Sequence, residues 1–359
     1  MTITSRSARK RVFSYLNTVV SDICCPICGF SDGRLLYTVT SAEAAQHFVL
    51  KEVNQARHNK LADHITHLWG QTTCDVVSCN CCHFIFSRPY VAGDSTFYTL
   101  AYERTGYPAW KWEYQKSADA ISEIVSRSPR HPLRLIEIGA GNGAFVKSIA
   151  PDIIPKENIL CFEFSEYGRN KIVEYGIKCQ SDDIRSINSS NHPGQFDLIC
   201  MFQVLEHMDR LDVLFKTLNS LSKFDSHLFI SVPNAEQIEF NETHGCLLDM
   251  PPNHIGRWNL HGFEQIAVAF GWTLAEFRIE PLNVKDALKQ QIAYRYLKIS
   301  QDSSTWANKI ECINSDKVRR ILRIVCAGVY SLTSVKILFK AISDKNRGDS
   351  QWIHLIKTG

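Results

Sequence analysis

From Pro132 onward the chain alternates short apolar runs with helix-patterned stretches, and this alternation constrains the fold more than any other feature. The runs fall at Leu133–Ile138, Ile159–Phe164, Ile177–Gln180, Phe196–Met201 and Ser226–Val232. Helical stretches lie between them near Ala144–Ala150, Glu166–Tyr175 and Leu211–Leu221. Strand–helix–strand repetition builds a parallel, doubly wound sheet that holds ligands in a crevice at the carboxyl ends of its strands. Trp272–Glu280 reads as a further strand. A long helix-prone stretch follows, and the chain closes on another short strand, Gln351–Lys357.

The first run breaks into glycines in LIEIGAGNGAF, residues 135–145. That is the pattern of a strand, a tight nucleotide-facing turn and a helix. Gly139, Gly141 and Ala144 satisfy the dinucleotide fingerprint G-x-G-x-x-[GA], which would take NAD. Glu137 with Gly139, Gly141 and Gly143 equally satisfies E-x-G-x-G-x-G, the pattern of S-adenosylmethionine (SAM) enzymes. The stretch alone leaves both cofactors open.

The first ninety residues carry two C-x-x-C pairs, Cys25-Pro-Ile-Cys28 and Cys79-Asn-Cys-Cys82. Each spacing lets two thiolates of one knuckle face a single tetrahedral ion, and two knuckles complete the set of four. A closed four-cysteine set predicts a structural Zn2+ rather than a catalytic one. Cys24 and Cys81 are neighbours outside the pairing. The alternative is a group of reduced buried cysteines or a redox pair. Between the knuckles, Ser41–Leu68 has helical periodicity, and His64 and His67 within it lack a third ligand in register. After Pro89 comes an aromatic stretch with Tyr98, Tyr102, Tyr107, Trp110, Trp112 and Tyr114. It suits either an interdomain packing surface or a cap over a substrate pocket, since Tyr and Trp join apolar area to a polar tip.

The chain has 359 residues, 45% of them apolar and 21% charged, as in an ordinary folded protein. A net charge of +3 gives no support for nucleic acid as a partner. The basic run Arg6, Arg9, Lys10, Arg11 reads as a solvated end. No N-terminal stretch has the apolar core of a signal peptide. Thirteen cysteines, an odd number, point to a reducing compartment, with cytoplasm the default. The longest uncharged apolar-rich run, Ile324–Val335, is too short to span a bilayer. Basic neighbours Arg319, Arg320, Arg323, Lys336 and Lys340 would suit peripheral contact with an anionic membrane, and a buried helix is the favoured reading.

Three later features separate the two cofactors. Glu163 ends the second strand in ILCFEFS, where a carboxylate can accept both ribose hydroxyls of either. Gln203 and the pair Glu206-His207 sit just past the end of FDLICMF. WTLAEFRIE and QWIHLIK form a C-terminal strand pair split by an insertion, which a dinucleotide fold does not predict.

As a set, LIEIGAGNG, FEFS, FDLICMFQVLEH and FISVPN resemble the class I SAM-dependent methyltransferases, over about 132–281 plus the last strand. The zinc knuckles and the aromatic segment more loosely resemble the front of bacterial sugar C-methyltransferases and polysaccharide-pathway methyltransferases. The resemblance implies an α/β, Rossmann-like sheet of seven strands, the last one antiparallel between its neighbours. It implies that Glu137, Gly139, Gly141 and Gly143 form the floor under the methionine part of SAM. Glu163 would hold the ribose, with Phe164 beside the adenine unless that ring is simply core. Asp183, with Asp182 as the alternative, would take the adenine amino group. Gln203 would lie near the sulfonium.

Methyl transfer from a sulfonium is an in-line displacement with a neutral leaving group, so the site must align the reactants and often deprotonate the nucleophile. His207, beside Glu206, and His254, in the loop MPPNHIGRWN, are the candidate bases. Tyr102, Tyr107 and Arg257 are candidate acceptor contacts, Arg257 for an anionic group. No N-P-P-Y-like turn follows the fourth strand, which favours an oxygen or carbon of a small molecule, sugar or nucleotide-sugar over a nucleic-acid amine.

The expected organisation is a zinc module over 1–90, an aromatic cap or linker over 91–130, and a SAM-binding domain over 131–282. A helical insertion over 283–346, expected as a lid or a partner face, and the last strand over 347–359 complete it. The rivals are an RNA methyltransferase that grips its substrate with the zinc module, and a zinc-binding interaction protein without turnover.

Overall fold

The computed structural model describes residues 18–20, 23–51, 53–102, 110–127, 132–187, 194–243, 249–282, 284–300, 304–311, 313, 315–332 and 348–358. Two sheets dominate it. The first contains β1 (Thr18–Val20), β2 (Gly33–Thr40), β3 (Thr73–Cys79) and β4 (Ile85–Arg88), joined antiparallel in that order. β2 and β3 are connected through two helices, Ser41–Phe48 and Gln55–Trp69, where the sequence pattern gave one. The break is local chemistry. Asn54 caps the second helix by accepting from Arg57 N–H, while Thr40 and Glu43 form a reciprocal capping box on the first. His58, Leu61, Ile65 and Trp69 line one face of the second helix, which stops at Gly70 in the left-handed region.

The second sheet follows the alternation read from the sequence: β5 (Leu135–Ile138), β6 (Ile159–Phe162), β7 (Lys178–Gln180), β8 (Phe196–Phe202) and β9 (Ser222–Pro233). After β9 the chain contributes β10 (Gly256–Arg257) as an edge strand to the first sheet, antiparallel to β4. β11 (Trp272–Ile279) and β12 (Ser350–Lys357) complete the second sheet in the order β11-β12-β9-β8-β5-β6-β7. β5, β6, β7, β8 and β9 pair in parallel, and β12 inserts antiparallel to β9. This is the expected seven-stranded α/β arrangement, with the last strand in its expected place.

Strand periodicity sorts the second sheet's side chains onto two faces. Ile136, Ile138, Ile199, Met201, Leu228 and Ile230 share one core with Cys25, Cys79, Phe84 and Trp258 from around the first sheet. Leu135, Leu198, Cys200, Phe229 and Trp352 pack on the other face with Phe145 and Val146 of the helix Ala144–Ile149. The described residues of both sheets lie in one compact unit, within 15–235, 248–278 and 350–359.

A second unit takes in the described residues within 236–247 and 279–349. Its described helices include Val284–Ser300, Trp306–Glu311 and Asp316–Leu332. Glu311, buried, accepts from Tyr296 Oη at 2.9 Å and from Arg323 Nε at 2.5 Å, which ties the three helices together. The expected burial of the apolar run from Ile324 is not what the helix shows. Ile321, Ile324, Val325 and Val329 are exposed, because Arg323 occupies the inward face. Among the described residues no helix is long and apolar enough to cross a membrane.

Candidate functional site

The carboxyl ends of β5, β6, β7 and β8 open onto a cavity of ≈ 400 Å³. Its wall includes Gly139, Gly141, Glu163, Phe164, Asp182, Asp183, Gln203 and His207. The glycine turn has three left-handed residues, Gly139 (φ +72), Gly141 (φ +57) and Gly143 (φ +76). A Cβ on Gly139 would stand 2.4 Å from Val204 Cγ2, and one on Gly143 2.8 Å from Ile172 Cγ1, so both conformation and space demand glycine. Gly143 lies behind the wall, at the start of the helix Ala144–Ile149.

Glu163 stands at the end of β6 with both carboxylate oxygens turned to the backbone. Oε2 accepts from Gly141 N–H at 2.8 Å and Oε1 from Ser165 N–H at 2.7 Å. It thereby couples the glycine turn to the second strand. Phe164 beside it is 70% exposed, so the ring is not core. Asp183 caps a short turn and pairs with Arg185 through both oxygens, at 3.0 and 3.1 Å from Nε. Burial raises the Asp183 pKa, but the Arg185 hydrogen bonds outweigh it and hold the carboxylate below its usual range. Asp182, on the same wall, is exposed. Gln203 takes a left-handed φ of 57° just past β8, and its Nε2 donates to Ser350 Oγ at 3.1 Å and Glu113 Oε1 at 3.3 Å.

Glu137 is placed differently from its expected position. It is 2% exposed, below the turn rather than on the cavity wall, and its Oε2 has no hydrogen-bond partner among the described residues. Burial first, and the Glu163 charge second, raise its pKa well above 4.5, so the folded protein holds it as a neutral acid. The unfolded chain ionises this group near its ordinary pKa. Stability therefore falls as pH rises from about 4.5 through the raised folded value. Glu137→Gln removes that loss. Thermal melts should show E137Q gaining on the native protein by on the order of 5 °C at pH 8 and by much less at pH 5. An equal difference at both pH values would contradict the assignment.

At the other end of the cavity, His207 donates Nδ1–H to the Asn253 carbonyl, and Tyr98 Oη lies 3.1 Å from the same nitrogen. A carbonyl only accepts, so the lone pair of the neutral ring is on Nε2, which is 3.9 Å from Glu206 Oε1. Burial, reinforced by His254, holds the His207 pKa well below its ordinary value. His254 packs edge-on against His207 with ring centroids 4.7 Å apart. Its Nδ1 is 2.8 Å from Asp249 Oδ1 in a bent approach, an ion-pair distance without hydrogen-bond alignment. Burial pulls the His254 pKa down, and Asp249 more than restores it, so the net direction is upward. Glu206 is itself buried, and burial raises it to about 7.

Residues 109–276 match the family model described as a methyltransferase domain. Over those residues the chain carries a methyltransferase domain. No curated protein matches its sequence. Solved structures similar to it include a SAM-dependent methyltransferase from Archaeoglobus fulgidus, at 16% identity over 68% of this chain and 96% of that one, with a TM-score of 0.39. Another, from Mesorhizobium loti, has 11% identity over 70% of this chain and 100% of that one, with a TM-score of 0.43. The magnesium protoporphyrin IX methyltransferase from Synechocystis PCC 6803, with S-adenosylhomocysteine bound, has 11% identity over 70% and 90%, with a TM-score of 0.40.

Not every residue singled out from the sequence reaches the methyltransferase cavity. Tyr102 lies off its wall and donates to Asn253 Oδ1 at 3.3 Å. Tyr107 falls outside the described residues. Arg257 is buried in β10, where its Nη2 donates to Tyr37 Oη at 2.6 Å, so pairing with β4 turns it into the first sheet and away from any acceptor in the cavity. His254 is not on the cavity wall and packs against His207 instead. Conversely, Tyr98, Lys111, Tyr114 and Arg185 line the methyltransferase cavity and were not singled out. Tyr98 and Tyr114 belong to the aromatic stretch, but nothing in the pattern ranks them above Tyr102 and Tyr107.

The four cysteines of the two knuckles meet although 50 residues separate the pairs. Cys25 Sγ lies 3.6 Å from Cys82 Sγ and Cys28 Sγ 3.6 Å from Cys79 Sγ, and all four sulfurs fall within 4.8 Å of one another. Tetrahedral coordination at ~2.3 Å sets sulfurs ~3.8 Å apart, so the donors fit a metal ion of that kind. The turns that aim them close on Gly29 (φ +70) and His83 (φ 55).

Proposed function

We propose that this methyltransferase transfers the SAM methyl group to an oxygen or carbon of a small-molecule acceptor, a sugar or nucleotide-sugar by its looser resemblance. The observation that carries the reading is the continuity of one cavity from the glycine turn and Glu163 to His207. In this reading the methionine end of SAM lies over Gly139 and Gly141, the ribose on Glu163, the adenine between Phe164 and the Asp182–Asp183 pair, and the sulfonium near Gln203. The acceptor then approaches from the Tyr98 side. The Glu206–His207–His254 cluster manages the acceptor's proton, with Asp249 orienting His254. The sulfur leaves as a neutral thioether, so no group need protonate it, and the residues' work is alignment and removal of one proton.

Cys25, Cys28, Cys79 and Cys82 would hold a structural Zn2+, which stabilises the two knuckles and supplies no chemistry at the cavity. Residues 1–90 would then be a zinc module built onto the methyltransferase domain, in a reducing compartment such as cytoplasm. The test of the functional reading is transfer of a labelled methyl group from SAM to a panel of sugars, nucleotide-sugars and a tRNA control. Labelling within the sugar panel supports it. Labelling of tRNA alone moves the acceptor to nucleic acid.

A further inference from the structure

Glu206 presents a problem that the methyl-transfer reading does not solve. Its side chain is 1% exposed, and neither carboxylate oxygen has a hydrogen-bond partner among the described residues. A buried carboxylate without a donor is costly, and such groups are ordinarily paired or bound to a cation. His207 Nε2 stands 3.9 Å from Oε1, too far for a hydrogen bond, and as the lone-pair nitrogen of the neutral ring it has no proton to donate.

Both neighbouring histidines have Nδ1 beside an oxygen, which leaves Nε2 as the nitrogen that can ligate. A ligating imidazole usually engages its second nitrogen with a carboxylate or a backbone carbonyl, which fixes the tautomer. His207 Nδ1 is held by the Asn253 carbonyl, and His254 Nδ1 lies 2.8 Å from Asp249. One ligand atom from each of Glu206, His207 and His254 lies within 4.8 Å of the other two. Ligand atoms around a tetrahedral ion bound at ~2.1 Å stand ~3.4 Å apart, so binding would draw the set in by up to about 1.4 Å. His207 also faces the cavity, so an ion held here would have its open positions on the acceptor side.

We propose that Glu206, His207 and His254 bind a first-row divalent cation, distinct from the ion of the four cysteines. The proposal rests on the methyltransferase reading for its function but not for its existence. The cation receives a hydroxyl of the acceptor, lowers its pKa, and lets its proton leave to solvent. The oxygen then attacks the SAM methyl carbon. The O–C bond forms, the C–S bond breaks, and its electron pair remains on the sulfur of S-adenosylhomocysteine. His207 and His254 are then ligands rather than bases.

Mn2+ is the suitable probe, because carboxylate and imidazole accept it whereas thiolates prefer softer ions. Titration of the full chain, followed by the loss of the free Mn2+ electron paramagnetic resonance signal, should show one bound ion per chain. Glu206→Gln and His254→Gln should each weaken it at least tenfold, while Cys24→Ser, an exposed neighbour outside both clusters, leaves it unchanged. S-adenosylhomocysteine binding, measured on the same samples, should persist in E206Q, which also reports that the variant is folded. No Mn2+ uptake by a chain that binds S-adenosylhomocysteine would overturn the metal site and spare the cofactor assignment. Uptake that survives both E206Q and H254Q would place the ion elsewhere and equally overturn it.

Discussion

Gly139→Val should abolish cofactor binding while leaving the chain folded. Two effects act at this one position. The residue must keep φ near +72, which costs a side-chain-bearing residue about 1–2 kcal/mol. Its Cβ would also stand 2.4 Å from Val204 Cγ2, a distance that requires the turn or the Val204 side chain to move. Val204 follows Gln203 at the end of β8, so any relief displaces the wall where the sulfonium is proposed to lie. Loss of S-adenosylhomocysteine affinity should exceed about a hundredfold, equivalent to roughly 3 kcal/mol. Glu163→Ala should approach the same result by another route, since it removes the acceptor of Gly141 N–H along with the proposed ribose contact. A Gly139→Val protein that binds S-adenosylhomocysteine normally would mean that the turn does not carry the cofactor.

Cys79→Ser should damage the fold more than the cofactor site. Cys79 and Cys82 flank the turn from β3 to β4, and Cys25, Cys79 and Cys82 are core residues packed with Phe84 and Trp258. A structural zinc contributes to folding directly, with apparent binding energies of ~10 kcal/mol or more in small zinc domains. Loss of one ligand should therefore lower the melting temperature by about 10 °C or more and release close to one zinc per chain. The same loss should follow treatment with a strong chelator. Cys24→Ser and Cys81→Ser, exposed neighbours outside the cluster, serve as controls and should change neither property. A purified native protein that is folded and free of metal would contradict the zinc assignment.

What the sequence makes legible follows from how local each signal is. The strands from β5 to β9 and the glycine turn appear in the sequence because alternation and positive-φ glycines are properties of a few consecutive residues. The two cysteine knuckles are legible for the same reason, since each pair is a tight turn and only the meeting of the pairs is long-range. β10 was not legible. Gly256–Arg257 is too short to carry a period, and it becomes a strand only because β4 offers an open edge. That pairing is also why Arg257, which looks like an anion contact in a loop, ends up buried against Tyr37.

The end of the cavity at His207 was legible only in part. Glu206 and His207 stand out because they follow β8 directly. The loop carrying Asp249, Asn253 and His254 joins them over more than forty residues of chain, which no periodicity records. Glu137 shows the converse limit. Its place in the motif is plain, yet its burial beneath the turn and its neutral state depend on packing from the second core.

The central claim is that the cavity over Gly139, Gly141 and Glu163 is a SAM site. Calorimetric titration of the full chain with S-adenosylhomocysteine, with NADH as the control, tests it most directly. The account predicts micromolar, one-to-one binding of S-adenosylhomocysteine and no heat from NADH. Binding of NADH alone, or of neither molecule, by a folded chain would contradict it.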